Sequence, residues 1–189
     1  MKRRSWLVQF VLLAAAALSL GISIDPVHKH AWGENIGWLN WRDANATAQG
    51  VVHHGTHLSG YIWAENVGYI HLGSGAGPYA NTDHTNYGVN IAPDGVLSGL
   101  AWGENIGWIN FGTAPTLAAF NQHARFDQIA GRFRGYAWGE NVGWINLDDP
   151  THHVGVGSGA TIVAWRSVRT HAGQGELSIP LDPSAVGNG

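Results

Sequence analysis

The most regular pattern in the chain is an alternation of apolar and polar residues that returns four times, on both sides of a short segment containing Glu-Asn. In the last copy, residues 132–138 and 142–147 each alternate with a period of two, which is typical of a β-strand with one buried face. Gly139, Glu140 and Asn141 lie between them and are residue types that favour a tight turn. The pattern therefore predicts one β-hairpin in each copy.

The four copies are internal repeats. Each reads apolar-Trp-(Gly/Ala)-Glu-Asn-(Ile/Val)-Gly-(Trp/Tyr)-(Leu/Ile)-(Asn/His), and they occupy residues 31–40, 62–71, 101–110 and 137–146. Repeats that return every ~30–40 residues form one supersecondary unit each and pack against their neighbours. Further strands are predicted at 87–91 and 161–168, and a short helical turn at 116–122. We therefore predict a mostly β fold, an antiparallel meander of four hairpins that closes as a sandwich, an irregular barrel or a small propeller.

The N-terminus has the pattern of an export signal. Three basic residues at positions 2–4 precede an apolar run at 6–20 and then small residues, so residues 1–23 are interpreted as a signal peptide. The alternative is an uncleaved anchor. The repeat domain is then expected at 24–171, and a C-terminal tail or edge strand at 172–189. This predicts a secreted, cell-surface or periplasmic protein without a membrane span after the signal is removed.

The amino-acid composition limits the kinds of metal site and partner that the protein can have. The 189 residues correspond to one domain, only 12% of them are charged, and cysteine is absent. The absence of cysteine excludes disulfides, zinc-thiolate sites and iron–sulfur clusters, so any metal is held by other side chains. The net charge is −3, and it becomes −6 without the basic residues at positions 2–4, so nucleic acid is not expected as a partner.

The repeated aromatic and acidic residues are interpreted as structural. Large aromatic side chains that return at one spacing are expected in the core, the alternative being an exposed platform for sugars. The repeated Glu-Asn pairs are expected to hydrogen-bond within their own turns, the alternative being calcium binding. No Ser-His-Asp order, phosphate-binding loop or His-Glu-x-x-His motif is present, so we do not expect an enzyme.

Histidine carries the clearest chemical signal because it departs from the repeat. The second copy has Tyr69 and His71 where the other copies have Trp and Asn. Two dense groups occur elsewhere, His28-Lys29-His30 and His53-His54-Gly55-Thr56-His57. Imidazole is a common ligand of copper, zinc and nickel, so a subset of the eleven histidines is predicted to bind metal.

The Trp-Gly-Glu-Asn-(Ile/Val)-Gly-Trp repeats, the predicted export and the scattered histidines resemble the secreted copper-binding proteins of methanotrophs, the MopE and copper-repressible CorA surface proteins. The resemblance covers residues 27–149. It implies a Cu(I) ion held by two histidines and by kynurenine, an oxidised tryptophan two residues before one of them. Tyr69 stands at that position before His71, so no kynurenine is expected there. The resemblance implies His71 as one ligand beside Tyr69; our candidate for the second is His123, with His84, His152 and His153 as alternatives.

The sequence therefore predicts an exported protein that binds copper, as Cu(I), for acquisition or sequestration at the cell surface, with outer-membrane or cell-surface components as further partners. The alternative is a structural or adhesive β-repeat module that binds glycan or protein without metal. Under the first hypothesis, replacing His71 or His123 weakens copper binding; under the second, replacing exposed aromatic residues weakens adhesion.

Overall fold

The computed structural model describes residues 21–157. The predicted signal sequence up to residue 20, the strand at 161–168 and the tail at 172–189 lie outside this range. Within it are fourteen strands, one short helix and one 3₁₀ turn: β1 (Ile22–Gly33), β2 (Gly37–Asn40), β3 (Val52–His53), β4 (Leu58–Ser59), β5 (Tyr61–Ala64), β6 (Gly68–His71), β7 (Val89–Ile91), β8 (Leu97–Gly103), β9 (Gly107–Asn110), α1 (Ala114–Leu117), the 3₁₀ turn (Ala118–Phe120), β10 (Arg125–Asp127), β11 (Arg132–Arg134), β12 (Tyr136–Gly139), β13 (Gly143–Asn146) and β14 (Val154–Val156).

Each sequence repeat forms one antiparallel hairpin, and the four hairpins close into a barrel. The hairpins are β1–β2, β5–β6, β8–β9 and β12–β13. Neighbouring hairpins pair in chain order, and β13 pairs with β1 to complete a ring of eight antiparallel strands. The predicted mostly β meander of hairpins is confirmed, and of the three predicted closures the barrel is the one observed.

The repeat turn is built the same way in all four hairpins. In the first, the backbone N–H of Ile36 donates to the carbonyl oxygen of Gly33 at 3.3 Å, and Gly37 follows with a φ of +76°. Only glycine adopts that region without steric cost. The corresponding glycines of the other hairpins also have positive φ, namely Gly68, Gly107 and Gly143. The turn geometry therefore explains the glycine before the second aromatic position.

The barrel interior is filled mainly by small residues on the first strand of each hairpin, with Ile62 as the larger exception, and by larger aliphatic residues on the second strand. Ala31 and Leu39 form such a pair in the first hairpin, and both are buried. A Cβ atom added to Gly33 would lie 2.4 Å from Cγ1 of Ile36, so the space over this glycine is already occupied. Eight strands leave an interior just wide enough for side chains of this size.

The repeated asparagines link neighbouring hairpins. The side-chain amide of each donates to a backbone carbonyl of the preceding hairpin around the barrel, at 3.0–3.2 Å, in the pairs Asn35–Val142, Asn66–Ile36, Asn105–Val67 and Asn141–Ile106. We expected these side chains to stabilise their own turns, and that expectation was wrong. The four bonds instead form a closed ring at the turn end of the barrel, while the four neighbouring glutamates are exposed.

The opposite end of the barrel is covered by the connections between hairpins. The residue that follows each repeat is apolar and fully buried there: Trp41, Leu72, Phe111 and Leu147. Trp41 packs on Phe111 and Phe133, with ring centroids 6.1 and 5.2 Å away.

The predicted helical turn at 116–122 overlaps α1 and the 3₁₀ turn. Among the described residues, no helix combines the length and the apolar character that crossing a membrane requires.

Candidate functional site

The repeated aromatic side chains lie on the outer face of the barrel and form an aromatic belt: Trp32, Trp38, Trp63, Tyr69, Trp102, Trp108, Trp138 and Trp144. Six of them are 37–45% exposed. Within each hairpin the two rings contact each other, with centroids 4.6–4.8 Å apart. The expectation that these residues form the core was wrong. Successive residues of a strand face opposite sides, and the inward positions are taken by Ala, Gly, Ile and Leu.

His71 lies on the outer face at the end of β6 that is remote from the repeat turn. Its Nδ1 is 2.6 Å from the hydroxyl of Tyr87, and its ring packs on Tyr61 with centroids 4.7 Å apart. Burial lowers the pKa of His71, and a backbone hydrogen bond with Gly73 opposes this effect. Tyr69, two residues earlier, is 45% exposed and contacts Tyr61 and Trp63.

His123 lies in the long connection before β12, where its backbone forms a bridge with Tyr136. Its Nδ1 is buried without a hydrogen-bond partner, and burial together with Arg125 lowers its pKa. Strands β8 and β9 separate β6 from β12 in the barrel. His71 and His123 share no hydrogen bond or ring contact within residues 21–157, so the geometry does not support pairing them at one ion, and their pairing stays a prediction. The alternative ligand His84 is exposed in a loop.

Four other histidines do come together, and we call them the histidine cluster: His28, His30, His152 and His153. The first two lie on β1, and the last two lie in the loop between β13 and β14. Because β14 pairs with β1, with Val154 opposite Lys29, this loop lies beside residues 28–30. The loop is held by Asp149, whose Oδ1 accepts the backbone N–H groups of Thr151 and His152 at 2.7 and 2.6 Å.

The rings of the histidine cluster line two adjoining surface cavities. His28 and His153 are stacked, with centroids 4.2 Å apart and planes inclined by 14°. All four histidines line a cavity of about 280 Å³. His30 and His152 also line a second cavity, of about 340 Å³, together with Trp38, Asn40, Trp63 and Glu65. Imidazoles from distant parts of the chain therefore meet at one accessible surface.

The surroundings of two of these histidines, His30 and His153, favour the neutral ring. Burial lowers the pKa of His30, as do Lys29 and His152, while Asp43 opposes them. Burial also lowers the pKa of His153, with further contributions from Arg132 and His28. Neutral imidazole is the form that binds a metal. In residues 21–157, however, no group of three or more His, Asp or Glu side chains is placed to hold a metal ion together.

The remaining group of histidines, His53, His54 and His57, stabilises the fold. His57 uses Nε2 to contact the carbonyl of Gly75 at 3.2 Å, and His54 uses Nε2 to contact the hydroxyl of Ser59 at 2.8 Å. His53 and His57 are 6% and 7% exposed. In the sequence this group is one of two dense histidine groups, and the burial of these two rings makes the segment part of the packed structure.

Each pair of the histidine cluster stands out in the sequence, but the sequence does not show that the two pairs meet. The missing information was the pairing of β14 with β1.

No protein-family profile, curated protein or solved structure was found to match this chain.

Proposed function

We propose that this protein is an exported copper-binding protein and that the histidine cluster is its copper site. The observation that carries the proposal is the stacking of His28 on His153 at 4.2 Å, which brings together imidazoles that are far apart in the sequence. The role is acquisition or sequestration outside the cytoplasm, consistent with the predicted signal peptide and with a site that is open to solvent.

The donor set favours copper among the metals that imidazole binds. Cysteine is absent and the only methionine is Met1, so nitrogen is the softest donor in the mature chain. Copper binds imidazole more tightly than the other divalent first-row metals do, and Cu(I) accepts as few as two nitrogen ligands. A pair of imidazoles therefore suffices, even though no group of three ligands is preformed among residues 21–157.

Binding requires a small rearrangement. The lone pairs of an imidazole lie in the ring plane, so two nearly parallel rings do not direct their nitrogens at one ion. His28 is exposed, and exposed side chains exchange rotamers within nanoseconds. Binding therefore requires His28 to rotate so that one of its nitrogens and a nitrogen of His153 or His30 point at the same ion. His152 has Nδ1 beside the hydroxyl of Thr151 at 2.8 Å, which leaves Nε2 as its donor.

The test is competition for Cu(I) between a chromogenic chelator and the mature chain, prepared without an affinity tag. The double substitution His28→Ala/His153→Ala is expected to weaken Cu(I) binding at least about tenfold, while the exposed His84→Ala leaves it unchanged. The double substitution His71→Ala/His123→Ala examines the pair implied by the family resemblance. If only that pair weakens binding, copper remains the function and the cluster is not the site. If the unaltered protein does not compete at all, the function itself is refuted.

A further inference from the structure

A second cavity with different chemistry lies on the outer face between the second and third hairpins, and we call it the tyrosine groove. Its volume is about 480 Å³, within the range of ligand-binding pockets. Its walls combine aromatic rings with polar side chains, chiefly Tyr61, Tyr69, Tyr87, Trp102, Gln49 and Glu104. None of these residues belongs to the histidine cluster, so the groove is independent of the proposed copper site.

The aromatic rings of the groove are held in fixed orientations. Tyr61 and Tyr69 meet edge to face, at 6.0 Å and 82°. Tyr87 stands perpendicular to His71 and to Trp108, and its hydroxyl is 2.6 Å from Nδ1 of His71. Tyr69 remains 45% exposed. Rigid aromatic side chains offer contact area at a low cost in conformational entropy, which favours binding over a merely structural role.

The groove coincides with the place where the repeats diverge. The second repeat has tyrosine at position 69 and histidine at position 71, where the other three copies have tryptophan and asparagine. Both residues line the groove. These outward positions do not fill the barrel interior, so the closure of the barrel does not require the change.

The charge of the groove restricts its ligand. Glu104 is an exposed carboxylate on its wall, and no lysine or arginine of residues 21–157 lines it. Anionic ligands such as phosphate headgroups, nucleic acid and sulfated or uronic-acid sugars are therefore disfavoured. A purely apolar ligand would leave Gln49 and Glu104 without hydrogen-bond partners, and loss of their hydration carries a free-energy cost.

We propose that the tyrosine groove binds a neutral oligosaccharide. A pyranose ring has an apolar face of C–H groups and an edge of hydroxyls. The apolar face matches the exposed ring of Tyr69 and the half-buried ring of Trp102, and the hydroxyl edge matches the amide of Gln49 and the carboxylate of Glu104. The ligand class is a chain of uncharged hexoses or N-acetylhexosamines.

The test is isothermal titration of the mature, metal-free protein with cellohexaose, mannohexaose and N-acetylchitohexaose. At least one is expected to bind, and Tyr69→Ala is expected to weaken that binding by about tenfold. The control is Trp138→Ala, which removes an exposed aromatic side chain of the fourth hairpin that does not line the groove, and it is expected to leave the affinity unchanged. Glu104→Ala removes a hydrogen-bond acceptor from the wall of the groove and is expected to weaken binding of the same saccharide.

The proposal is overturned if none of the three saccharides binds at millimolar concentration, or if Tyr69→Ala and Trp138→Ala have equal effects. It is also overturned if sulfated dextran binds the unaltered protein as tightly as the neutral sugars do. Because all measurements use metal-free protein and leave the histidine cluster intact, they are independent of the outcome for copper.

Discussion

Acidification is expected to destabilise the fold through one buried histidine, His53. Its side chain is packed against Phe126, with ring centroids 4.4 Å apart, and it is 6% exposed. Its Nδ1 accepts the backbone N–H of Gly55 at 3.2 Å, so the proton of the neutral ring is on Nε2, which is buried without a partner. Burial, with smaller contributions from His54 and His57, lowers the pKa of His53 to about 4.

The size of the loss in stability follows from the difference between the pKa of His53 in the unfolded state and its pKa in the folded state. In the unfolded chain His53 has a pKa of about 6.5. Between pH 6.5 and about pH 4, the unfolded state therefore binds a proton that the folded state does not. Stability from this residue is therefore complete above pH 6.5 and is lost as the pH falls. A difference of roughly 2.5 between the two pKa values, at about 1.4 kcal/mol for each unit, corresponds to roughly 3.5 kcal/mol.

The assay is urea unfolding followed by tryptophan fluorescence, in steps from pH 7.5 to 4.5, with a chelator present to remove metal. His53→Gln keeps an acceptor for Gly55 and removes the titrating group. Its stability is expected to decline much less between pH 6.5 and 4.5 than that of the unaltered protein. His84→Gln, in an exposed loop, is expected to follow the unaltered protein throughout.

Comparison of the variants also removes the contribution of other groups. His30, His71 and His153 also have lowered pKa values, so their stabilising effect is lost within the same pH range, whereas that of Asp43, Asp127 and Asp149 is lost mainly below it. That loss is common to all variants and cancels in the difference. If the His53→Gln curve runs parallel to that of the unaltered protein from pH 6.5 to 4.5, His53 is not held neutral by burial and the reasoning is refuted.

Two predictions concern the repeat. Asn141→Ala removes the hydrogen bond to the carbonyl of Ile106 and is expected to cost about 1 kcal/mol in urea unfolding, while the exposed Glu140→Ala costs nearly nothing. An equal effect of both would contradict the ring of asparagines. Gly103→Ala places a Cβ atom 2.7 Å from Cγ1 of Ile106 and is expected to cost about 1–3 kcal/mol by the same measurement. A stability within error of the unaltered protein would show that the interior has room for a methyl group.

The hairpins are predictable from the sequence because their determinants are local. The alternation on either side of Glu140 and the glycine at 143 specify strand, turn and strand within ten residues. Closure of the barrel is not local, since it depends on the pairing of Trp32 with Asn146 across more than a hundred residues. Meanders of hairpins with the same local pattern form sandwiches or propellers as well.

The aromatic belt shows where burial tendencies mislead. Alternation indicates that Trp32 and Ala31 face opposite sides, but it does not say which side is inside. The tendency of tryptophan to be buried favoured the wrong side. The volume of the alternating partners was the better guide, because Ala31 with Leu39 suits the narrow interior of an eight-stranded barrel and a ring of tryptophans does not.

The candidate sites were predictable only in part, for the same reason. The histidines at 28, 30, 152 and 153 were each noticeable in the sequence, yet their meeting depends on the pairing of β14 with β1 and on the irregular register between Ile24 and Lys29. For the tyrosine groove, the departure of Tyr69 and His71 from the repeat was the available signal. It was interpreted as a metal ligand, His71, with Tyr69 beside it. In the structure both residues contact Tyr61, and His71 also contacts Tyr87.

The structure of the repeat explains why both candidate binding sites lie on the outer face of the barrel. The inward positions accept few residue types because their side chains must fit together in a narrow interior. The first inward position of each repeat is Ala or Ile. The outward position just before it has no such restriction, and it holds His30, Tyr61, Leu100 and Tyr136 in the four hairpins. His30 belongs to the histidine cluster and Tyr61 to the tyrosine groove. One barrel thus offers chemically different surfaces on neighbouring hairpins, and substitutions at these outward positions are expected to change binding without altering closure of the barrel.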